Sequence, residues 1–231
     1  MKQKKITFQK SYIDKLQAYA ELCSCTLKIA IYWQKIGVWT LNDPSDFNNE
    51  SSKYSVSIDV AIAKNYIASL GDEMIGTKPS LSIRLICDPL KTSSLDKDGQ
   101  CQVCFSEIQH YCDNNLITSE VEKRIAFQLL LYSQWEEEEH IEIQDNKVCW
   151  IEYSYTPEHY DSSQGFAFIG QLSGIISSKY KRATADKDGV HSISPKGDPD
   201  DFEVFIPENY KGQNLPLWRF VLQPNSEYQS P

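Results

Sequence analysis

Apolar residues first fall into a regular rhythm after Ser11, where Ile13, Leu16, Ala20 and Cys23 recur at steps of three and four. That spacing predicts an amphipathic helix over residues 12–23, with Ser11 as its N-cap, Asp14 in the first turn, and Lys15, Gln17 and Glu21 off the apolar stripe. Cys23 to Thr26 breaks the helix. Leu27 to Trp33 then runs almost continuously apolar, as expected of a strand covered on both faces. Gln34 to Gly37 turns the chain, and Val38 to Leu41 leaves as a second strand.

Further along, residues 42–53 read as an acidic loop rich in turn formers, and Tyr54 to Ile58 as a short apolar segment. Val60, Ala63, Ile67 and Leu70 predict a helix over 59–70, closed by Gly71. A strand is expected over Leu81–Cys87, a polar excursion over Lys91–Gln100, and another strand over Cys101–Tyr111 that ends in an Asp-Asn-Asn turn. Thr118 or Ser119 caps a helix from Glu120 to about Trp135, with Val121, Ile125, Leu129 and Tyr132 on one face. The acidic run Glu136–Glu139 reads as the solvated end of that helix. His140–Gln144 and Lys147–Tyr155 form a hairpin about Asp145-Asn146. Residues 164–180 read as strand then helix, 184–201 as an exposed loop, and the C-terminal stretch from Phe202 as two short strands.

These elements describe an α/β protein with a mixed central sheet and flanking helices. The division expected is an α/β part over 1–135 and a β-rich C-terminal part over 136–231. Its 231 residues can bury a full core without cross-links, and 41% hydrophobic with 12% aromatic residues is a globular composition. No apolar run approaches the length of a membrane span, and no apolar signal region follows the N-terminal lysines. Seven cysteines, an odd number, fit free thiols in a reducing cytoplasm. A net charge of −9 argues against a nonspecific nucleic-acid coat, which needs clustered Lys and Arg, though a metal-dependent nuclease concentrates carboxylates and can still present one basic face.

Chemistry-bearing residues are sparse. Cys101, Cys104, His110 and Cys112 offer four nitrogen or sulfur ligands for a tetrahedral zinc ion, but they interrupt an apolar strand pattern, which favours buried thiols. The segment Leu70–Thr77 holds two glycines at the wrong spacing for a phosphate loop, so Gly71 and Gly76 read as a cap and a turn. Asp72 and Glu73, between a helix and a strand, are the best-placed carboxylate pair for a site; a turn or capping role competes with that reading.

Ile13-Asp14-Lys15-Leu16-Gln17-Ala18-Tyr19-Ala20, followed by Leu27–Trp33 and Gly37–Leu41, resembles the helix and apolar strand that follow the catalytic strand in PD-(D/E)XK nucleases, the restriction-endonuclease-like superfamily. The resemblance implies DNA as a partner and a Mg²⁺ ion held by an Asp and a (D/E)-x-K strand ahead of the helix, with Lys15 and Gln17 supporting the site. Residues 1–10 contain no Asp or Glu, and the one D-x-K pattern, Asp145-Asn146-Lys147, falls in a hairpin turn. The expectation is therefore a restriction-endonuclease-like protein that is catalytically incomplete and acts in DNA binding or regulation, or else a truncated reading of a longer nuclease. Two alternatives stand beside it. One is a metal-dependent nuclease using carboxylates elsewhere, such as Asp59, Asp72 and Glu73. The other is a non-enzymatic module that binds a protein partner or forms a homodimer, suggested by the acidic balance and the aromatic C-terminal strands.

Overall fold

The structure, a computed structural model, describes residues 5–133, 135–157, 160–194, 204 and 206–229. It is a mixed α/β fold. In chain order the elements are β1 (Lys5–Gln9), α1 (Lys10–Leu22), β2 (Ile29–Trp33), β3 (Val38–Asn42), β4 (Asn48–Glu50), β5 (Lys53–Ser57), α2 (Ile58–Ala63), β6 (Met74–Thr77), β7 (Leu81–Cys87), β8 (Phe105–Cys112) and β9 (Asn115–Ile117). They continue with α3 (Glu120–Tyr132), β10 (Glu136–Gln144), β11 (Lys147–Thr156), β12 (Ala167–Gln171), α4 (Leu172–Thr184), β13 (Ala185–Asp186), β14 (Gly189–Val190) and β15 (Leu217–Phe220). The strands are shared among several small sheets, and the chain folds into two compact units. One comprises Met1–Met74, Gln171–Gly174 and Phe220–Pro231; the other comprises Ile75–Gly170 and Ile175–Arg219.

In the first unit the core gathers Ile13 of α1, Ile29, Ile31 and Trp33 of β2, Phe47, Val56 of β5 and Ala61 of α2, with Leu16 and Leu27 packed against them. Ser11 does not cap α1. Strand β1 runs straight into the helix, so Gln9, extended at φ −65° and ψ 133°, takes the cap position and lends no side chain to it. Strands β2 and β3 pair as an antiparallel hairpin through Ile29↔Asn42, Ile31↔Thr40 and Trp33↔Val38. The expected two-sided burial of β2 is corrected to one side: Ile29, Ile31 and Trp33 are buried, while Ala30 is exposed and Tyr32 half-buried against Trp39. An apolar run reads the same whether one or both faces are covered when its outward positions hold Ala and Tyr.

The helix expected over 59–70 is split into α2 and a 3₁₀ turn over Ile67–Leu70. Asn65 makes the break. Buried between the two pieces, its carboxamide oxygen accepts from Leu41 N at 2.8 Å and Ile67 N at 3.0 Å, and its nitrogen donates to Trp39 O at 3.3 Å. A side chain that satisfies three backbone groups outside the helix outweighs the one helical hydrogen bond it displaces. Gly71 closes the second piece in the left-handed region at φ 81°, as its sequence position suggests.

The second unit is built on a five-stranded sheet in the order β10-β11-β7-β8-β9, antiparallel at every pairing. Ser119 caps α3, its hydroxyl accepting from Glu122 N at 3.5 Å. The buried face of α3 is Ile125, Ala126, Leu129 and Leu130 with Glu122, so Val121 leaves the expected apolar face and is exposed. Glu122 takes that place because its carboxylate accepts from the backbone N–H groups of Gln213 at 2.5 Å and Asn214 at 3.4 Å. The acidic run Glu136–Glu139 is not a helix end: it opens strand β10, paired with Thr156, Tyr155, Ser154 and Tyr153 of β11. Three positive-φ turns that the sequence announces are present, at Gly37, Asp113-Asn114 and Asp145-Asn146. Residues 184–194, expected as loop, hold the small β13/β14 hairpin, and Thr92 with Asp96 organises turns in the polar excursion. Of the two C-terminal strands, Leu217–Phe220 forms; Phe202, Glu203 and Phe205, where the other is expected, lie outside the described residues. No helix among the described residues is long and apolar enough to cross a membrane.

Candidate functional site

The carboxylates singled out by sequence are drawn into local scaffolding. Asp72 is buried and accepts three hydrogen bonds: from Ser173 Oγ at 2.5 Å, Ser173 N at 3.0 Å and Glu73 N at 2.9 Å. The backbone carbonyl of Glu73 accepts from Leu172 N at 3.0 Å. The pair thus binds the first turn of α4, where orphan backbone donors and the helix dipole both favour a carboxylate. Asp59 accepts from Tyr228 Oη at 3.3 Å. Lys15 and Gln17 are exposed on α1, and Gln17 donates to Glu21, its neighbour one turn on, at 3.5 Å. Among the described residues, no three His, Cys, Asp or Glu side chains are placed to hold a metal ion. These residues therefore do not fit the Mg²⁺ ion that a restriction-endonuclease-like core implies. Replacing Asp72 by Ala removes the carboxylate that accepts from Ser173 in the first turn of α4, which should lower unfolding stability by about 1–2 kcal/mol. Urea unfolding of Asp72→Ala against Asp72→Asn measures this; an unchanged midpoint for both would refute the capping role.

The expected cysteine-histidine quartet is divided by the strand that carries it. Cys101 and Cys104 precede β8, whereas His110 and Cys112 lie at its far end. An eight-residue strand separates its two ends by roughly 23 Å, far beyond the reach of one ion. Cys112 is buried against Thr77, and burial pushes its thiol up to about 11. Cys101 and Cys104 keep different company: together with Cys149 they lie near enough to Cys87 to disfavour its thiolate, adding to the larger effect of burial. Sequence spacing hides this grouping, because it depends on β7 pairing with both β8 and β11.

Register across the five-stranded sheet assembles the most distinctive surface of this unit. Ile141 of β10 faces Ile151 of β11, Ile151 faces Leu85 of β7, and Leu85 faces Ile108 of β8. Direct cross-strand partners share a face, so these four residues form an apolar row across four strands. The row is not a core. Ile108 is 55% exposed, Ile141 45% and the neighbouring Ile143 49%, while Leu85 and Ile151 are half-buried. Two rows further along, the same face is sealed: Leu81 and Cys112 are buried, and between the two ends His110 meets the ring of Phe127 on α3 edge-on at 6.4 Å.

On this face the β10 positions of the next two rows are acidic. Glu139 pairs with Tyr153 and Glu137 with Tyr155. Tyr153 Oη donates to Glu139 at 3.5 Å, and Tyr155 lies directly across from Glu137. Burial first, then the adjoining Glu137 carboxylate, pushes the Tyr155 phenol up to about 12. The opposite face is polar and internally paired. Arg84 lies between the rings of Trp150 at 4.4 Å and Tyr111 at 4.8 Å, and its guanidinium bonds Glu152 at 2.8 Å. His140 stacks at 5.1 Å from Trp150.

Strand β10 ends the sheet, and among the described residues its outer edge pairs with no other strand. The row and the acidic edge escape sequence reading for one reason each. A helix-end reading of Glu136–Glu139 conceals the strand, and four isolated isoleucines and leucines form a row only once three registers are known. The alternation in Lys147–Tyr155 is the one signal that could have led to them. No family model, curated protein or solved structure matches the chain.

Proposed function

We propose that the chain is a protein-interaction module that engages a protein partner through the apolar face of the five-stranded sheet, along the row that runs from β10 to β8. The observation that carries this reading is the exposed row Ile141–Ile151–Leu85–Ile108. Single exposed isoleucines need no explanation, but contiguous ones on a stiff sheet, rimmed by carboxylates, are the usual composition of a binding patch. A restriction-endonuclease-like role in DNA binding or regulation has less behind it: Asp72 and Glu73 are committed to α4, and the face carries Glu137 and Glu139 where phosphate would have to approach.

Purification from native cells is expected to yield a stoichiometric protein partner. Reconstituted from purified components, that complex should weaken at least about tenfold when Ile108→Asp or Ile141→Asp places a charge in the row. Both positions are exposed, so the variants should retain the stability of the parent. Metal-dependent cleavage of DNA by the purified chain, lost in Asp72→Ala, would overturn the reading.

A further inference from the structure

We propose that the outer edge of β10 receives an extended segment of the partner protein as a sixth, antiparallel strand, with Lys or Arg opposite Glu136–Glu139 and apolar residues opposite Ile141 and Ile143. This rests on the reading of the sheet as a protein-binding surface and specifies how the partner is held.

Four features of β10 converge on that occupant. The strand has nine residues against three in the other edge strand, β9, so it presents by far the longer run of outward backbone donors and acceptors. Strand addition to such an edge supplies affinity through main-chain hydrogen bonds and specificity through alternate side chains. Every described pairing in this sheet with an assigned register is antiparallel, and the twist of the sheet continues most simply with another antiparallel strand. Its side chains, finally, divide the edge into two halves. Glu136–Glu139 place carboxylates on both faces, and no Lys or Arg occurs in β10. Ile141 projects on the apolar face, so an apolar residue opposite it would lengthen the row from four strands to five.

The same charges disfavour a second copy of this chain. Pairing β10 with itself would bring eight carboxylates from the two acidic runs onto one seam between molecules of net charge −9 each. Acidic and basic edges are a common protection against self-pairing, and like charges directly opposed across strands are unfavourable. That protection is lifted by a segment of opposite charge. Tyr153 donates to Glu139, so one of the four carboxylates is already positioned before the partner arrives.

A fluorescent nine-residue peptide, Thr-Val-Lys-Val-Thr-Lys-Lys-Lys-Lys, matches β10 residue for residue in the antiparallel sense. Titrated with the full chain, it is expected to bind one to one and to shift in anisotropy. Binding should fall at least about tenfold for Glu137→Lys/Glu139→Lys, and again for Glu136→Lys/Glu138→Lys, whose side chains leave by the other face. One of the two peptides N-methylated on alternate amides should lose binding altogether, since it cannot complete the ladder. The proposal is overturned by no binding at millimolar peptide, by equal binding of both methylated peptides, by sedimentation of the chain as an edge-paired dimer, or by tighter binding of a single-stranded oligonucleotide at the same edge. If Ile108→Asp abolishes the partner complex while both charge-reversal variants leave it intact, the sheet face is the binding site and edge addition is wrong. Loss in the charge-reversal variants with Ile108→Asp unaffected would instead support the edge and refute the row.

Discussion

Leu81→Ala is expected to lower the unfolding stability of the second unit by about 3 kcal/mol, within the range of roughly 2–5 kcal/mol for a buried leucine truncated to alanine. Leu81 is fully buried at the start of β7, paired with Tyr155 on one side and Cys112 on the other. Its end of the face is sealed, and Ile117 of β9 and Ile125 and Leu129 of α3 are equally inaccessible. Truncation there leaves a void that the strands on either side cannot close without breaking register. Ile108→Ala, on the same face but exposed, should cost less than about 1 kcal/mol. Urea unfolding followed by tryptophan fluorescence separates the two. Equal losses would mean that the row around Ile108 is core and not surface, which would contradict the functional reading as well as the stability estimate.

Gly174→Ala carries the second large effect, and here two forces oppose one another. Gly174 lies in α4, where alanine would ordinarily gain about 1 kcal/mol through helix propensity. A β-carbon at this position, however, would stand 2.2 Å from the carbonyl oxygen of Gly37 in the β2/β3 turn. That is backbone, not the end of a flexible side chain, so either the turn or the helix must move. Gln171 fixes the same junction: its side chain accepts from Trp39 N at 2.6 Å and donates to Trp39 O at 3.1 Å. Overpacking of this kind costs about 1–3 kcal/mol in well-packed sites and outweighs the propensity gain. A lowered melting temperature for Gly174→Ala, with Gly170→Ala, whose added β-carbon would meet nothing closer than 3.6 Å, as the comparison, is the expected result. A raised melting temperature would show that α4 does not press on the turn.

Local chemistry made much of the fold legible. The α1 stripe, the Asp145-Asn146 hairpin, the Ser119 cap and the Gly71 terminator all follow from side chains acting within a few residues of themselves. Local pattern misleads where a distant residue decides the outcome. Asn65 breaks a helix that periodicity supports because Trp39 and Leu41 compete for its amide. Glu122 occupies the buried face of α3 because Gln213 and Asn214 supply donors from across the sequence. Glu136–Glu139 form a strand against helix-end expectation because β11 offers Tyr153 and Tyr155 as partners. The site depends still more on such pairings. Asp72 and Glu73 were visible as a carboxylate pair, but their commitment to Leu172 and Ser173 spans about a hundred residues of chain and leaves no local trace. The apolar row is distributed over four strands, each of which contributes one unremarkable residue.

Backbone amide exchange over Glu136–Gln144, measured on the full chain with and without its purified protein partner, tests the binding surface most directly. The account predicts that amides along β10 slow by at least about tenfold in the complex and that Ile108 and its neighbours in β8 slow with them, while α1 is unchanged. Unaltered exchange along β10 and β8, with protection instead over α1 and the β2/β3 hairpin, would contradict it and return attention to residues 13–41.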